Sequence, residues 1–192
     1  KPSKPDAAPL SAKSIKNIHG VLHKALKQAV LIGYLRTNPT EACILPRIIR
    51  KEMHPLEEDQ VAVFLREVQG HPHEYLYKIA LFTGLREGEV LGLGWEHIDF
   101  QAGTLTVKRQ LRREQKKGGE YYFSPPKNNK SRCLTLAPSV IQLFRLQKLE
   151  QNSMRMEAGD AWEEHGLIFT NQTGGYLSYR TVYDCFKRIV KR

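Results

Sequence analysis

The chain has 192 residues, long enough for one domain with a full core, or for one domain and part of another. Hydrophobic residues make up 41% of it, ordinary for a globular protein, and no apolar run is long enough to cross a membrane as a helix. A net charge of +10 and an isoelectric point near 9.6 point to a polyanionic partner, most often nucleic acid.

Three cysteines, odd in number and far apart, argue against a disulfide framework or a zinc site. They fit a reducing, cytoplasmic setting, and the first residues given do not read as a signal peptide. Charge is blocked along the chain. Residues 1–54 carry ten Lys or Arg against three acids, and residues 55–107 carry three against nine. Residues 108–132 return to nine against two, and residues 133–192 carry eight against six. Two basic regions flanking an acidic one suit a clamp that grips a duplex from two sides.

Residues 1–9 are rich in Pro and Lys and read as extended or disordered. From Ser11 a helix is signalled by one apolar stripe, Ile15, Ile18, Leu22, Ala25, Leu26 and Ala29, with Gly33 as its stop. Lys16, Lys24 and Lys27 lie on or beside its polar side, placed to meet DNA phosphates. Asn38-Pro39 opens a short helical piece through Ala42. Pro46 to Pro55 reads as a linker holding Arg47, Arg50 and Lys51. Composition and charge change there, which puts a boundary near residue 53, with one domain over 1–53 and another over 54–192.

The second domain begins with helices over Glu58–Gln69, Glu74–Phe82 and Arg86–Leu93. Strands are expected at Ile98–Gln101, Thr104–Leu111, Glu120–Ser124 and Cys133–Leu136. The charged run Arg112–Gly119 reads as a loop, and Pro125 to Arg132 as the turn between the last two strands. A long helix should run from Pro138 to about Met156. Leu167–Thr170 is a short apolar piece before a Thr173-Gly174-Gly175 turn, and Ser178 caps a final helix. The class is α+β, mainly α, with a small antiparallel sheet.

One block carries chemistry. In Thr83-Gly84-Leu85-Arg86-Glu87-Gly88-Glu89-Val90-Leu91-Gly92-Leu93-Gly94-Trp95 an arginine follows a Thr-Gly break at a helix start. Glu89, three residues on, shares its face. Such an arginine can clamp phosphate through its planar fork, aided by the helix dipole. Taken alone, an arginine of this kind is more often a surface ion pair. A second block, Pro125-Pro126-Lys127-Asn128-Asn129-Lys130-Ser131-Arg132-Cys133-Leu134-Thr135-Leu136, reads as a basic turn entering a strand. The plain reading of that run is a solvated charged turn.

Together these blocks resemble the tyrosine recombinases of the phage-integrase family, most of all integrases of conjugative transposons. The resemblance implies that Arg86 stabilises charge on a phosphorane-like transition state, with Glu89 as its support. It implies that Lys127 donates a proton to the leaving 5′-oxygen, with Lys130 as the second candidate. Lys130 and Arg132 would otherwise bind backbone phosphates. Residues 1–53 would end a helical core-binding domain, and 54–192 would begin the catalytic domain. The reaction implied is two transesterifications through a 3′-phosphotyrosyl intermediate, which needs no metal, cofactor or ATP. The partners implied are double-stranded DNA at recombination sites, a homotetramer on two duplexes, accessory directionality proteins, and no membrane. The cytoplasm of a bacterium, in association with the nucleoid, is the location implied.

The family's later His-x-x-Arg motif has no counterpart here. Tyr176, Tyr179 and Tyr183 precede the position where the nucleophile would fall, so none of them is nominated. With no initiator methionine and an end inside a helical pattern, the chain reads as a fragment that would not complete the reaction alone. Three alternatives stay open: a non-catalytic DNA-binding fragment or domesticated integrase, a type IB topoisomerase relative, and an unrelated basic helical protein.

Overall fold

A computed structural model describes residues 9–49, 52, 55–116 and 118–191. The Pro/Lys-rich start and the linker residues Arg50 and Lys51 lie outside the described residues. The chain divides into two compact units, Lys1–Pro55 and Leu56–Arg192, two residues past the boundary expected from composition.

In the first unit, α1 spans Ala12–Leu31 and is capped by Ser11, whose side chain accepts from the Ser14 N–H at 3.1 Å. Gly33 ends the helix at φ 82°, where a Cβ would be strained. Asn38 then starts a 3-10 turn over Pro39–Ala42. Its amide donates to the His23 carbonyl at 3.1 Å, and its Oδ1 accepts from the Thr40 N–H and hydroxyl. His19 and His23 both reach Thr40, so this buried polar knot ties the turn back onto α1. No residue of α1 is buried, and Ile18 and Leu22 of its apolar stripe are about half exposed.

The second unit is built on helices α2 (Glu58–Glu67), α3 (Glu74–Thr83), α4 (Glu87–Leu91), α5 (Pro138–Ala158) and α6 (Tyr179–Val190). Strands β1 (Ile98–Asp99), β2 (Thr104–Val107) and β5 (Arg132–Thr135) form one antiparallel sheet in the order β1-β2-β5. Strands β3 (Gln110–Arg113) and β4 (Tyr121–Ser124) form a separate antiparallel pair. The core gathers Ile79 of α3, Leu93, Leu105 of β2, Phe144 of α5 and Ile168, all fully buried.

Several expectations need correction. The run Thr104–Leu111 is two strands in different sheets, because the chain breaks step at Lys108-Arg109 and Arg109 turns to donate to the Gly92 carbonyl. Arg112 and Arg113, expected in a loop, belong to β3 and pair with Tyr122 and Tyr121. Strands β4 and β5 do not pair with each other, so residues 125–131 bridge two sheets rather than closing a hairpin. Ser178 stands at the N-cap of α6, but its side chain makes no capping bond. The third helix is five residues long, Glu87–Leu91, shorter than expected at both ends.

Candidate active site

Arg86 is positioned by an elbow between α3 and α4. Gly84 ends α3 in the left-handed region, φ 63°, and the Thr83 hydroxyl closes the last turn on the Ile79 carbonyl. Leu85 is buried and pins the elbow to the core. Arg86 follows at the N-cap of α4 in extended backbone. Because α4 has five residues, its dipole adds little, and the expected help from a helix N-terminus shrinks accordingly.

Glu89 does the organising instead. Its carboxylate is 1% exposed and receives four donors. Oε2 accepts from the Arg86 backbone N–H at 2.9 Å and from Arg132 Nη2 at 2.7 Å. Oε1 accepts from Arg132 Nη1 at 2.9 Å and from Arg86 Nη1 at 3.3 Å. Arg132's paired hydrogen bonds, with Arg86's, outweigh burial and hold the Glu89 carboxyl down at about 2. Glu89 is therefore ionised across the physiological range and acts as a fixed negative anchor.

The two arginines are used differently. Arg132 spends both ends of its fork on Glu89 and is 37% exposed. Arg86 is 64% exposed and gives Glu89 one long contact, which leaves most of its donors facing outward. Arg86 is thus the arginine available to an oxyanion.

Lys127 lies on the turn of the 125–131 bridge and is exposed, with no ion-pair partner among the described residues. The Asn129 N–H donates to the Pro126 carbonyl at 2.8 Å, and Asn129 sits at φ 56°, a conformation that Asn tolerates. The bridge is also tied back by Gln110, whose amide donates to the Pro125 carbonyl at 2.7 Å. Lys130 is exposed on the same bridge. Lys24 and Lys27 are exposed on α1 and Lys16 is half-buried, all three in the other unit. Direct contacts thus join Arg86, Glu89 and Arg132, while Lys127 and Lys130 connect to them along the chain.

Sequence reasoning missed the surface on which this site rests. Gly88 of α4 and Gly92 at its C-cap, one turn apart, lie against β3. A Cβ at Gly92 would stand 2.7 Å from the Leu111 nitrogen, and one at Gly88 would stand 3.1 Å from the Leu111 oxygen. The i, i+4 spacing of the glycines was the available signal. Tyr176, set aside as a nucleophile, stacks between Tyr121 and His165 at centroid distances of 5.1 and 4.6 Å. Its ring serves packing. Tyr179 and Tyr183 stack on each other along the exposed side of α6.

Residues 51–192 match the model of the phage integrase family. The chain belongs to the phage integrase family. It is 27% identical to a XerC-like tyrosine recombinase of Caldanaerobacter subterraneus subsp. tengcongensis, over 95% of this chain and 51% of the relative. It is 28% identical to an integrase of Streptomyces ambofaciens, over 96% of this chain and 48% of the relative. Among solved structures it is similar to the Tn1549 transposon integrase, with a TM-score of 0.78 and 26% identity, covering 95% of this chain and 58% of that one. The chain spans about half the length of the curated relatives it matches. No described helix is long and apolar enough to cross a membrane.

Proposed function

We propose that this phage-integrase-family chain supplies Arg86 and Lys127 to the active site of a mobile-element integrase. That enzyme cuts and rejoins duplex DNA at specific sites. The observation that carries the reading is the outward-facing fork of Arg86, held by a buried carboxylate beside a basic bridge. In the first step a tyrosine hydroxyl gives up its proton to solvent as its oxygen attacks phosphorus. The new bond is phosphotyrosyl, the P–O5′ bond breaks, and the 5′-oxygen takes a proton. Arg86 stabilises the charge on the non-bridging oxygens, and Lys127 donates the proton. The free 5′-hydroxyl of a partner strand then gives up its proton and attacks the phosphotyrosine; the P–O bond to tyrosine breaks, and the released tyrosine oxygen takes up a proton. None of Tyr176, Tyr179 or Tyr183 is assigned the attacking role.

The Tn1549 integrase structures are complexes with circular intermediate DNA and with transposon right end DNA, which supports duplex DNA as the partner here. Residues 1–53 would belong to a DNA-binding core-binding domain and 54–192 to the catalytic domain. Strand exchange would engage four protomers on two duplexes, in the bacterial cytoplasm, with accessory proteins setting direction.

The test uses the natural protein and duplexes spanning the chromosomal junctions of the DNA element that encodes it. A covalent protein–DNA adduct should survive denaturing gel electrophoresis. Arg86→Lys keeps charge but loses the fork, and should slow adduct formation about 10²-fold or more. Equal adduct formation by Arg86→Lys would remove the reading. Relaxation of a supercoiled plasmid lacking any junction sequence would favour a type IB topoisomerase relative.

A further inference from the structure

We propose that Arg132 is a positioning residue that sets the Lys127 bridge against Arg86 by clamping Glu89. The proposal takes its catalytic meaning from the recombinase reading, but the clamp itself rests on geometry. Arg132 is the first residue of β5, where the 125–131 bridge ends, and it reaches Glu89 of α4 across 43 residues of sequence. Both of its terminal nitrogens are engaged, at 2.9 and 2.7 Å, with a carboxylate that also holds the Arg86 backbone and side chain. A fork so occupied is a poor phosphate ligand, which moves Arg132 away from the DNA-binding role its sequence context suggested.

The bridge needs such an anchor. In a simple hairpin the two flanking strands would pair and fix the turn between them. Here β4 pairs with β3 and β5 pairs with β2, so no ladder closes beneath Lys127. What holds the bridge is a tie at each end. At its start the Gln110 amide holds the Pro125 carbonyl, and Gln110 belongs to the strand resting on Gly88 of α4 and on its C-cap Gly92. At its end Arg132 holds Glu89, also of α4. Both ties lead to the short helix that carries Arg86 at its N-cap. Lys127 and Arg86 would have to meet one phosphate together, Arg86 at its non-bridging oxygens and Lys127 at its 5′-oxygen, so their relative placement matters, and an error of an ångström is costly. The Arg132–Glu89 pair fixes that placement.

The experiment has two arms, both on the natural full-length protein. The first is amide hydrogen exchange in wild type, Arg132→Lys and Arg132→Met. Peptides covering 125–131 should exchange about tenfold faster in Arg132→Met, with α3 and α5 unchanged and Arg132→Lys intermediate. Unchanged exchange in the bridge would overturn the clamp. Should Arg132→Met loosen α3 and α5 as well, Arg132→Lys decides by the same criterion. The second arm measures adduct formation on the junction duplexes, with either oxygen or sulfur as the 5′-bridging atom at the cleavage phosphate. A thiolate leaves without a proton donor. Sulfur should therefore restore most of a rate that Arg132→Met lowers by misplacing Lys127, a loss of about 10²-fold on oxygen. An equal loss on both atoms would overturn the link to Lys127. If wild type forms no adduct with either duplex, the recombinase reading falls, and the exchange arm still judges the clamp.

Discussion

Glu87 and Glu89 stand two positions apart on one short helix and are pushed in opposite directions. Glu89 has four donors and is held at about 2. Glu87 lines an apolar pocket with Tyr77, Val182 and Phe186, its Oε1 is buried with no hydrogen-bond partner among the described residues, and burial pushes its carboxyl up to about 7. Their effects on stability have opposite signs. The stability Glu89 contributes is fully present above its unfolded value, 4.5, and is lost as pH falls toward 2. The stability of protonated Glu87 is fully present below 4.5 and is lost as pH rises through 7. Glu87→Gln should therefore flatten the stability profile between pH 5 and 8 and stabilise the protein at pH 8 by about 1–2 kcal/mol, read from urea unfolding. Glu89→Gln should do the reverse at neutral pH and cost about 2–4 kcal/mol, because two arginines lose their shared anchor. Both acids are legible in sequence as residues near Arg86. Which one is bound by arginines and which is buried among apolar side chains is set by contacts 43 to about 100 positions away in the chain, from Arg132 and from α6.

Helix α4 is too short to be stable by itself, and its place comes from packing. Val90 and Leu91 face the core, while Gly88 and Gly92 let β3 approach. Helix propensity alone predicts that alanine at either glycine stabilises α4 by up to about 1 kcal/mol. Packing predicts the opposite. At Gly92 a Cβ meets backbone atoms of β3, so Gly92→Ala should cost about 2–3 kcal/mol in urea unfolding, and Gly88→Ala less. A stabilising Gly92→Ala would show that β3 can retreat freely. The long helix α5 was readable from its sequence nearly to the residue, and α1 from its cap to its stop. The reason is that long amphipathic segments carry their own signal. The strands were read less well. Four-residue strands hold too little periodicity to reveal where one sheet ends and another begins, so the break between β2 and β3 escaped notice. Gln151 is a similar case: a polar residue of α5 that is 7% exposed, because its amide holds the Leu167 and Ile168 carbonyls and its Oε1 accepts from the Trp95 ring at 2.7 Å. Gln151→Ala should cost about 1–3 kcal/mol by leaving those buried groups unpaired.

The two basic blocks fall in different units, one on and after α1, the other on β3 and the 125–131 bridge. If both meet phosphates, as the proposed function requires, six to ten contacts would make duplex affinity fall by about 10³–10⁵ between 50 and 200 mM salt. Fluorescence anisotropy with a labelled duplex measures this directly. Replacing Lys24 and Lys27 together by alanine should lower the salt slope by about two and weaken all sequences alike, as phosphate contacts do. A slope unchanged by that replacement would take α1 off the DNA.

Composition and motif spacing by themselves determined a basic α+β protein in two parts, its longer helices, the Arg86 elbow with Glu89 on its face, and the basic segment holding Lys127. These are local properties, fixed by neighbours within a turn or two. Tertiary structure alone decided which arginine faces outward and which is bound inward, which of two neighbouring glutamates is held ionised by arginines and which is pushed up by burial, and that the Lys127 bridge joins two sheets. Each of those depends on groups brought together from distant points in the chain, where burial and charge act over a few ångströms and sequence distance has no bearing.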